Sequence, residues 1–231
     1  MWQGYIKKLQ RFLWLSLLAP ALCFAVPDLF VEGQDYVKLP DAVRKNSYVE
    51  QVLRSDAHKV QILLFFSYAC HGCEVLHKPF DEWVVQQQKK YNNKIAVHVY
   101  PVSFNAQWQM LAKMYYVLEN LSPNKNLNTV VFAAVHKNGL KLWDPAVMKK
   151  FVMQQGFSAE QFDTVYNSFT LKMQANRADE ISKAYGIVIT PEIIINGPIS
   201  SYKVDFAKAG NDVQRLIKIM NYLVTRELRL L

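Results

Sequence analysis

The sequence predicts an α/β protein in which a small mixed sheet is interrupted by an all-helical insertion, and three observations support this fold class. Apolar runs at residues 62–66 and 95–100 have the pattern of interior strands, with helical spacing over residues 73–90 between them. Residues 104–185 then carry helical patterns alone, and strand-like residues return after Gly186. The order of strand, helix and strand predicts that the first two interior strands are parallel.

The elements before the first interior strand are short. Residues 36–39 alternate apolar and polar side chains, which predicts an edge strand that ends at Pro40. Ser47 and Glu50 have the spacing of a capping box and predict a short helix.

Four helices are predicted within the insertion. Apolar residues at helical spacing predict the first two over residues 108–118 and 127–135. The Asp-Pro pair at residues 144–145 predicts the start of a third helix. A capping box at residues 158–161 predicts the start of the fourth, with Phe169 among its inward-facing residues.

The C-terminal part returns to strands and ends in a helix. Residues 187–195 have a strong strand pattern, although Pro191 lies within it. Asn196 and Gly197 predict a hairpin turn before a second strand at 199–202. Residues 212–228 predict a final amphipathic helix.

Residues 1–25 have the three zones of a secretory signal peptide, with basic residues, a short apolar run and small residues before a cleavage site after Ala25. An uncleaved membrane anchor is the alternative, which the shortness of the apolar run disfavours. We expect residues 26–103 and 186–231 to form one domain and residues 104–185 to form an inserted helical domain.

The composition excludes several classes of protein. Of the 231 residues, 51% are hydrophobic and 13% are aromatic, which is enough for a substantial core and excludes a disordered chain. Three cysteines are too few for a small disulfide-stapled domain. The formal net charge is +8, but basic residues beyond the leader are interleaved with acidic ones, so we do not expect nucleic-acid binding.

The segment Cys70-His71-Gly72-Cys73 lies where the first interior strand meets the following helix. The unpaired N–H groups and the dipole at a helix N-terminus favour an anion, so we expect a stabilised thiolate at Cys70. A protonated His71 adds positive charge beside that sulfur. Cys73 is placed to resolve a mixed disulfide at Cys70, and these features predict a redox-active Cys70–Cys73 disulfide.

These cysteines could have two other roles. A purely structural disulfide closes so small a loop that its entropic benefit is slight. A metal site could use Cys70, Cys73 and His77, but structural zinc needs four ligands and the sequence holds no second cysteine pair. We therefore expect neither a metal nor a cofactor. The remaining histidines are expected to be surface or packing residues, namely His58, His77, His98 and His136.

Pro191 is unusual within a strand pattern because proline cannot donate to the ladder. A cis peptide bond between Thr190 and Pro191 at the start of the strand is one solution, and an ordinary trans proline at a sheet edge is the other.

Together these features resemble the DsbA family of thioredoxin-fold oxidoreductases. The resemblance extends from about Val31 to Leu228 and rests on the helical insertion and on three motifs, Phe65-Phe66-Ser67-Tyr68 ahead of the cysteines, Ile189-Thr190-Pro191 and Ile195-Asn196-Gly197. It implies a thioredoxin-like mixed sheet, an exposed nucleophile at Cys70 and a buried partner at Cys73. It also implies a cis Pro191 that faces the dithiol and a Thr190 backbone that binds an extended substrate.

The resemblance also implies partners and a location. Members of the family are exported to the bacterial periplasm, pass their disulfide to reduced exported proteins, and are re-oxidised by a DsbB-like membrane quinone reductase. On this basis the expected catalytic residues are Cys70, Cys73, His71 and Pro191, with Thr190 binding substrate.

Two positions depart from the family pattern. His71-Gly72 stands where DsbA proteins usually have Pro-His, and this bears on oxidising strength. Thr190 stands where DsbA commonly has Val, and Thr is typical of disulfide isomerases. The alternatives are therefore an isomerase or reductase of the same fold, or a non-catalytic exported binding protein.

Overall fold

The computed structural model describes residues 29–123 and 125–231, and their strands form one five-stranded mixed sheet. The predicted signal peptide, residues 1–25, lies outside the described residues. Among the described residues, none of the helices has both the length and the apolar character needed to cross a lipid bilayer.

The sheet is built around its second strand. Its five strands are β1 (Val37–Lys38), β2 (Val60–Phe66), β3 (Ile95–Pro101), β4 (Glu192–Asn196) and β5 (Ser201–Asp205). Their spatial order is β1-β5-β4-β2-β3, with β2 and β3 parallel and the other neighbours antiparallel. The predicted parallel pair and the predicted edge position of the first strand are therefore confirmed.

Four helices of the described chain flank the sheet strands in sequence. They are α1 (Asp41–Arg44), α2 (Ser47–Ser55), α3 (His71–Tyr91) and, at the C-terminal end, α9 (Val213–Leu228). Asp212 caps α9, which matches the predicted start of the final helix.

The described residues of the insertion between β3 and β4 form helices joined by loops, and they contain no strand. Its elements are α4 (Ala106–Leu121), α5 (Asn128–Phe132), a π-helical turn (Ala133–Lys137), α6 (Pro145–Gln154), α7 (Ala159–Tyr166) and α8 (Phe169–Ala184). The single helix predicted over residues 127–135 is thus α5 followed by the π turn.

The continuous apolar run of β2 is explained by burial on both faces of the sheet. Ile62, Leu64 and Phe66 pack in the core layer that contains the buried residues of α3 and α9. Leu63 and Phe65 point the other way, into the layer formed by α2 and α8. Because side chains alternate along a strand, burial on both sides requires apolar residues at every position.

The helix caps confirm two predictions and correct a third. The side chain of Asp144 caps α6, and the full capping box at Ser158 opens α7. The cap of α2 is Asn46, whose Oδ1 accepts the Tyr48 N–H at 2.9 Å, so the predicted cap at Ser47 was wrong by one residue. Asn and Ser cap equally well, and local sequence does not separate neighbouring candidates.

Phe169 does not face inward from the fourth predicted helix. That helix, α7, ends at Tyr166, and Phe169 is the first residue of α8 with 75% of its surface exposed. The Ser168 hydroxyl accepts the Leu171 N–H and starts the new helix, so the apolar spacing does not continue across it.

The strands on either side of the hairpin turn are shorter or shifted relative to the prediction. Strand β4 begins at Glu192 and not at residue 187, because Pro191 has no N–H to contribute to the ladder. Strand β5 begins at Ser201, and the turn is closed by the Gly197 N–H donating to the Ser200 carbonyl at 2.8 Å.

Candidate active site

Cys70 is the N-cap residue of α3 and lies four residues after the end of β2. The Cys70 N–H donates to the Ser67 carbonyl at 3.1 Å, and the Cys73 N–H donates to the Cys70 carbonyl at the same distance. Cys70 itself is extended, with φ −92° and ψ 118°. This geometry directs the unpaired N–H groups of the first helical turn toward the Cys70 side chain.

The two cysteines of this turn have different exposure. Both are free thiols, so the structure represents the reduced form. Cys70 is partly exposed, whereas Cys73 has only 3% of its surface exposed and packs in the core. A partner thiol can therefore approach the sulfur of Cys70 more easily than that of Cys73.

The environment favours the charged form of Cys70 and the neutral form of Cys73. Hydrogen bonding from the Cys73 thiol, helped by the Thr190 side chain and the N–H groups of Cys73 and Gly72, lowers the pKa of Cys70 to about 6 against the opposing effect of burial. Burial, together with the neighbouring Cys70 sulfur, raises the pKa of Cys73 well above its ordinary value.

The segment before β4 lies across the dithiol. The Thr190-Pro191 peptide bond is cis, and the Cys70 thiol donates to the Thr190 carbonyl at 3.3 Å. Pro191 is buried against the helix turn, since a Cβ added at Gly72 would lie 3.1 Å from its Cδ and 3.2 Å from Cδ1 of Phe206. Glycine at position 72 thus permits the close approach of Pro191.

His71 points into solvent and forms an ion-pair contact with the same helix. Its side chain is 79% exposed, and its Nδ1 lies 3.0 Å from Oε2 of Glu74. Glu74 is much less exposed, at 17%, and lies one turn after Cys70.

His136 reaches this site from the π turn of the insertion. Its Nε2 donates to the Tyr68 carbonyl at 2.8 Å, and its Nδ1 lies 3.8 Å from Oε2 of Glu74. Its ring also packs near that of His71, with centroids 6.0 Å apart. Neither Glu74 nor His136 is among the site residues predicted from the sequence, and His136 was expected to be a surface or packing residue. The spacing from His71 could have suggested Glu74, but no local pattern links His136 to a cysteine more than sixty positions away.

The insertion also covers the apolar side of the site. Phe132 is 2% exposed and makes edge contacts with Tyr68, at a centroid distance of 5.1 Å. The buried Tyr68 hydroxyl donates to Oδ1 of Asn128 at 2.6 Å. His77, whose Nε2 lies 3.1 Å from the Thr129 hydroxyl, completes this contact between α3 and α5.

A buried carboxyl group follows Pro191 directly. Glu192 is 2% exposed, and burial raises its pKa to about 6 despite Lys203, whose Nζ lies 3.4 Å from Oε1. Its Oε2 has no hydrogen-bond partner among the described residues. Glu192 is not among the site residues predicted from the sequence, because a glutamate within a strand pattern does not by itself indicate burial.

Two curated relatives align with nearly the whole chain. The thiol:disulfide interchange protein DsbA of Pseudomonas aeruginosa is 28% identical over 215 residues, covering 92% of this chain and 94% of the relative. That of Burkholderia cepacia is 29% identical over 220 residues, covering 95% and 96%. No protein-family model matches the chain.

Solved structures show the same likeness in three dimensions. The crystal structure of Pseudomonas aeruginosa DsbA matches with a TM-score of 0.70 and 26% identity, covering 87% of this chain and 96% of the other. The oxidoreductase DsbA from Xylella fastidiosa matches with a TM-score of 0.70 and 25% identity, covering 86% and 98%.

Proposed function

This chain is a DsbA-family protein disulfide oxidoreductase of the thioredoxin fold, and we propose that it is exported and introduces disulfides into translocated proteins. The reacting group in this proposal is a redox-active Cys70–Cys73 disulfide. The observation that carries the proposal is the contrast within one helical turn, where a partly exposed Cys70 favours the thiolate and a buried Cys73 favours the thiol.

The proposed transfer takes place in two exchanges at sulfur. A client thiolate attacks Sγ of Cys70 in the oxidised protein, forming a mixed disulfide while the Cys70–Cys73 bond breaks and Cys73 takes up the electron pair and a proton. A second client thiolate then attacks the client sulfur of the mixed disulfide and expels Cys70 as a thiolate. The client loses two electrons and the protein becomes the dithiol.

The environment of Cys70 supports the direction of this transfer. A thiol with a low pKa is a good leaving group, and a stabilised thiolate lowers the free energy of the reduced protein relative to the oxidised one. Both effects favour donation of the disulfide to a client. They support an oxidase over a reductase or an isomerase that works from the dithiol form.

Thr190 and Pro191 are proposed to position the client. The Thr190 carbonyl lies within hydrogen-bond distance of the Cys70 sulfur, so an extended peptide paired with this segment would bring its own sulfur close to Cys70. Pro191 packs against Gly72 and shapes the surface next to the sulfur. His71 is proposed to act electrostatically, since its exposed ring follows Cys70 in the chain.

Location, partners and domain organisation complete the proposal. The leader pattern in residues 1–25 supports export to the periplasm. The reduced protein must be re-oxidised, and a DsbB-like membrane quinone reductase would supply a quinone as the two-electron acceptor. Residues 26–103 and 186–231 would form the thioredoxin-like domain, with residues 104–185 as the helical insertion domain.

The proposal is tested by the equilibrium reduction potential of the purified protein in glutathione buffers, with free thiols measured by a mass tag. We expect a value on the order of −150 mV or higher, because the thiolate at Cys70 stabilises the reduced form. A value near about −250 mV would instead support a reductase or isomerase. A dithiol that shows no exchange with glutathione would support a non-catalytic binding protein.

A further inference from the structure

Three potential metal ligands converge beside the dithiol helix. One ring nitrogen of His71, a carboxylate oxygen of Glu74 and one ring nitrogen of His136 lie within 4.8 Å of one another. The two histidine nitrogens lie 3.0 and 3.8 Å from Oε2 of Glu74. Ligand atoms around a tetrahedral zinc ion, with bonds of about 2.0–2.2 Å, are about 3.3–3.6 Å apart, and the two distances to Glu74 lie on either side of this range.

The orientation of His136 gives a second, independent indication. A carbonyl oxygen can only accept, so the contact with Tyr68 requires the proton on Nε2 of His136. In the neutral ring, Nδ1 then carries the lone pair, and it lies 3.8 Å from Oε2 of Glu74, which is too long for a hydrogen bond. A histidine held by a backbone carbonyl through one nitrogen, with the other free to ligate, is the usual arrangement at metal sites.

The burial of the three residues is also suited to a binding site. Glu74 and His136 are each 17% exposed and are held in place by their surroundings. His71 is 79% exposed and can adjust its ring to complete the site. Two of the ligands would come from α3 and the third from the π turn, so a bound ion would connect the dithiol helix to the insertion.

We propose that His71, Glu74 and His136 bind one divalent transition-metal ion, with Zn²⁺ as the reference case and the fourth position open to solvent. Two imidazole nitrogens and one carboxylate suit zinc, copper or nickel, whereas magnesium and calcium prefer oxygen ligands. Neither cysteine is a ligand, so the site adjoins the dithiol and shares only His71 with the proposed redox site.

The test is isothermal titration of Zn²⁺ into the oxidised protein without a polyhistidine tag, because the Cys70–Cys73 disulfide removes both thiols as competing ligands. We expect one Zn²⁺ per chain, with affinity reduced at least about tenfold in His71→Gln, Glu74→Gln and His136→Gln. His58→Gln, which replaces an exposed histidine away from the cluster, should bind like the wild type. An excess of Mg²⁺ should not compete.

The melting temperature provides a second measurement. Binding to the folded state alone stabilises it, so Zn²⁺ should raise the melting temperature of the wild type and His58→Gln but not that of the three ligand variants. His71→Gln is the decisive variant, because an exposed side chain can be replaced without loss of folding. The proposal is overturned if the oxidised wild type binds no Zn²⁺, or if His71→Gln and Glu74→Gln bind Zn²⁺ like the wild type. It is also overturned if His58→Gln abolishes Zn²⁺ binding or if Mg²⁺ competes equally with Zn²⁺.

Discussion

In the sheet region, the proposed reacting groups are positioned by three elements, β2, α3 and the segment before β4. Strand β2 ends four residues before Cys70, α3 begins immediately after it, and the segment ahead of β4 brings Thr190 and Pro191 onto the same turn. Since β2 and β4 are hydrogen-bonded neighbours, the sheet ladder itself defines this juxtaposition.

The helical insertion contributes to the same site through packing and polar contacts made by side chains. Asn128 accepts from Tyr68, Phe132 packs on Tyr68, and His136 lies beside Glu74. From this comparison we propose that the sheet region sets the chemistry of the sulfurs, whereas the insertion stabilises the site and shields it from solvent. Four predictions test this division, in order of decreasing effect.

The largest effect is expected at the sulfur of Cys70. Cys70→Ser should reduce oxidation of a reduced two-cysteine peptide to the background rate, because no disulfide can form and no nucleophile remains. Cys73→Ser, the matched variant, cannot hold its own disulfide, so it is incubated with the oxidised peptide. Its Cys70 thiolate should attack the peptide disulfide, expel one peptide thiolate and accumulate as a mixed disulfide, visible by mass, because no Cys73 remains to resolve it. Wild-type turnover in Cys70→Ser would show that the sheet region does not carry the chemistry.

The second effect concerns the pH dependence of alkylation at Cys70. With a pKa of about 6, the thiolate fraction and hence the rate should rise with pH through that value and then level off. At pH 6 the rate should be on the order of 100-fold higher than for a thiol with an ordinary pKa of about 8.5. The rate of alkylation at each pH is measured by iodoacetamide labelling of the reduced protein, followed by mass spectrometry.

The control for this profile is Cys73→Ala. Removal of the Cys73 thiol removes the largest cause of the lowered pKa, so the midpoint for Cys70 should move to higher pH. A midpoint that stays unchanged would assign the lowering to the backbone N–H groups and to Thr190.

The third effect is a loss of stability in the insertion. Phe132→Ala should lower the free energy of unfolding by about 3–5 kcal/mol, because it leaves a cavity among Phe66, Tyr68 and His77. Val130→Ala, in the same helix but 40% exposed, should change it by less than about 1 kcal/mol. Urea unfolding of the reduced protein measures both.

Phe132→Ala also tests the proposed division between the sheet region and the insertion. If the insertion shields the site but does not set the pKa of Cys70, the pH midpoint for alkylation of Cys70 in Phe132→Ala should stay near that of the wild type. A shift of that midpoint to the range of an ordinary thiol would contradict the division between the two regions.

The smallest effect is expected at Glu192 in the sheet region. Its pKa is raised to about 6 in the folded protein, so the ionised form costs stability, with no cost below about pH 4.5 and the full cost above about pH 6. Glu192→Gln should therefore gain stability relative to the wild type as pH rises through this window, by on the order of 1–2 kcal/mol at pH 7.

Urea unfolding at pH 4.5 and pH 7 measures the difference for Glu192→Gln. Glu160→Gln, which alters an exposed residue of α7, is the control and should show little pH-dependent difference. An equal change at both pH values would show that packing, and not ionisation, sets the effect of Glu192.

Much of the fold could be predicted because its patterns are local. The apolar runs of β2 and β3, the Asp144 cap of α6 and the capping box at Ser158 each depend on side chains a few positions apart. The wrong predictions concern helix starts and ends where the local sequence offers two alternatives. Asn46 and Ser47 are equally good caps, and Ser168 interrupts a spacing that otherwise continues to Phe169.

The sequence by itself determined that two cysteines stand at the start of a helix after a buried strand, and that a Thr-Pro pair precedes a returning strand. Only the tertiary structure decided that Cys73 is buried while Cys70 is not, that Thr190 contacts the Cys70 sulfur, and that Glu74 and His136 meet. The physical reason is distance along the chain. Helix starts and strand patterns arise from neighbouring residues, whereas burial and the convergence of polar groups depend on which distant segments pack together.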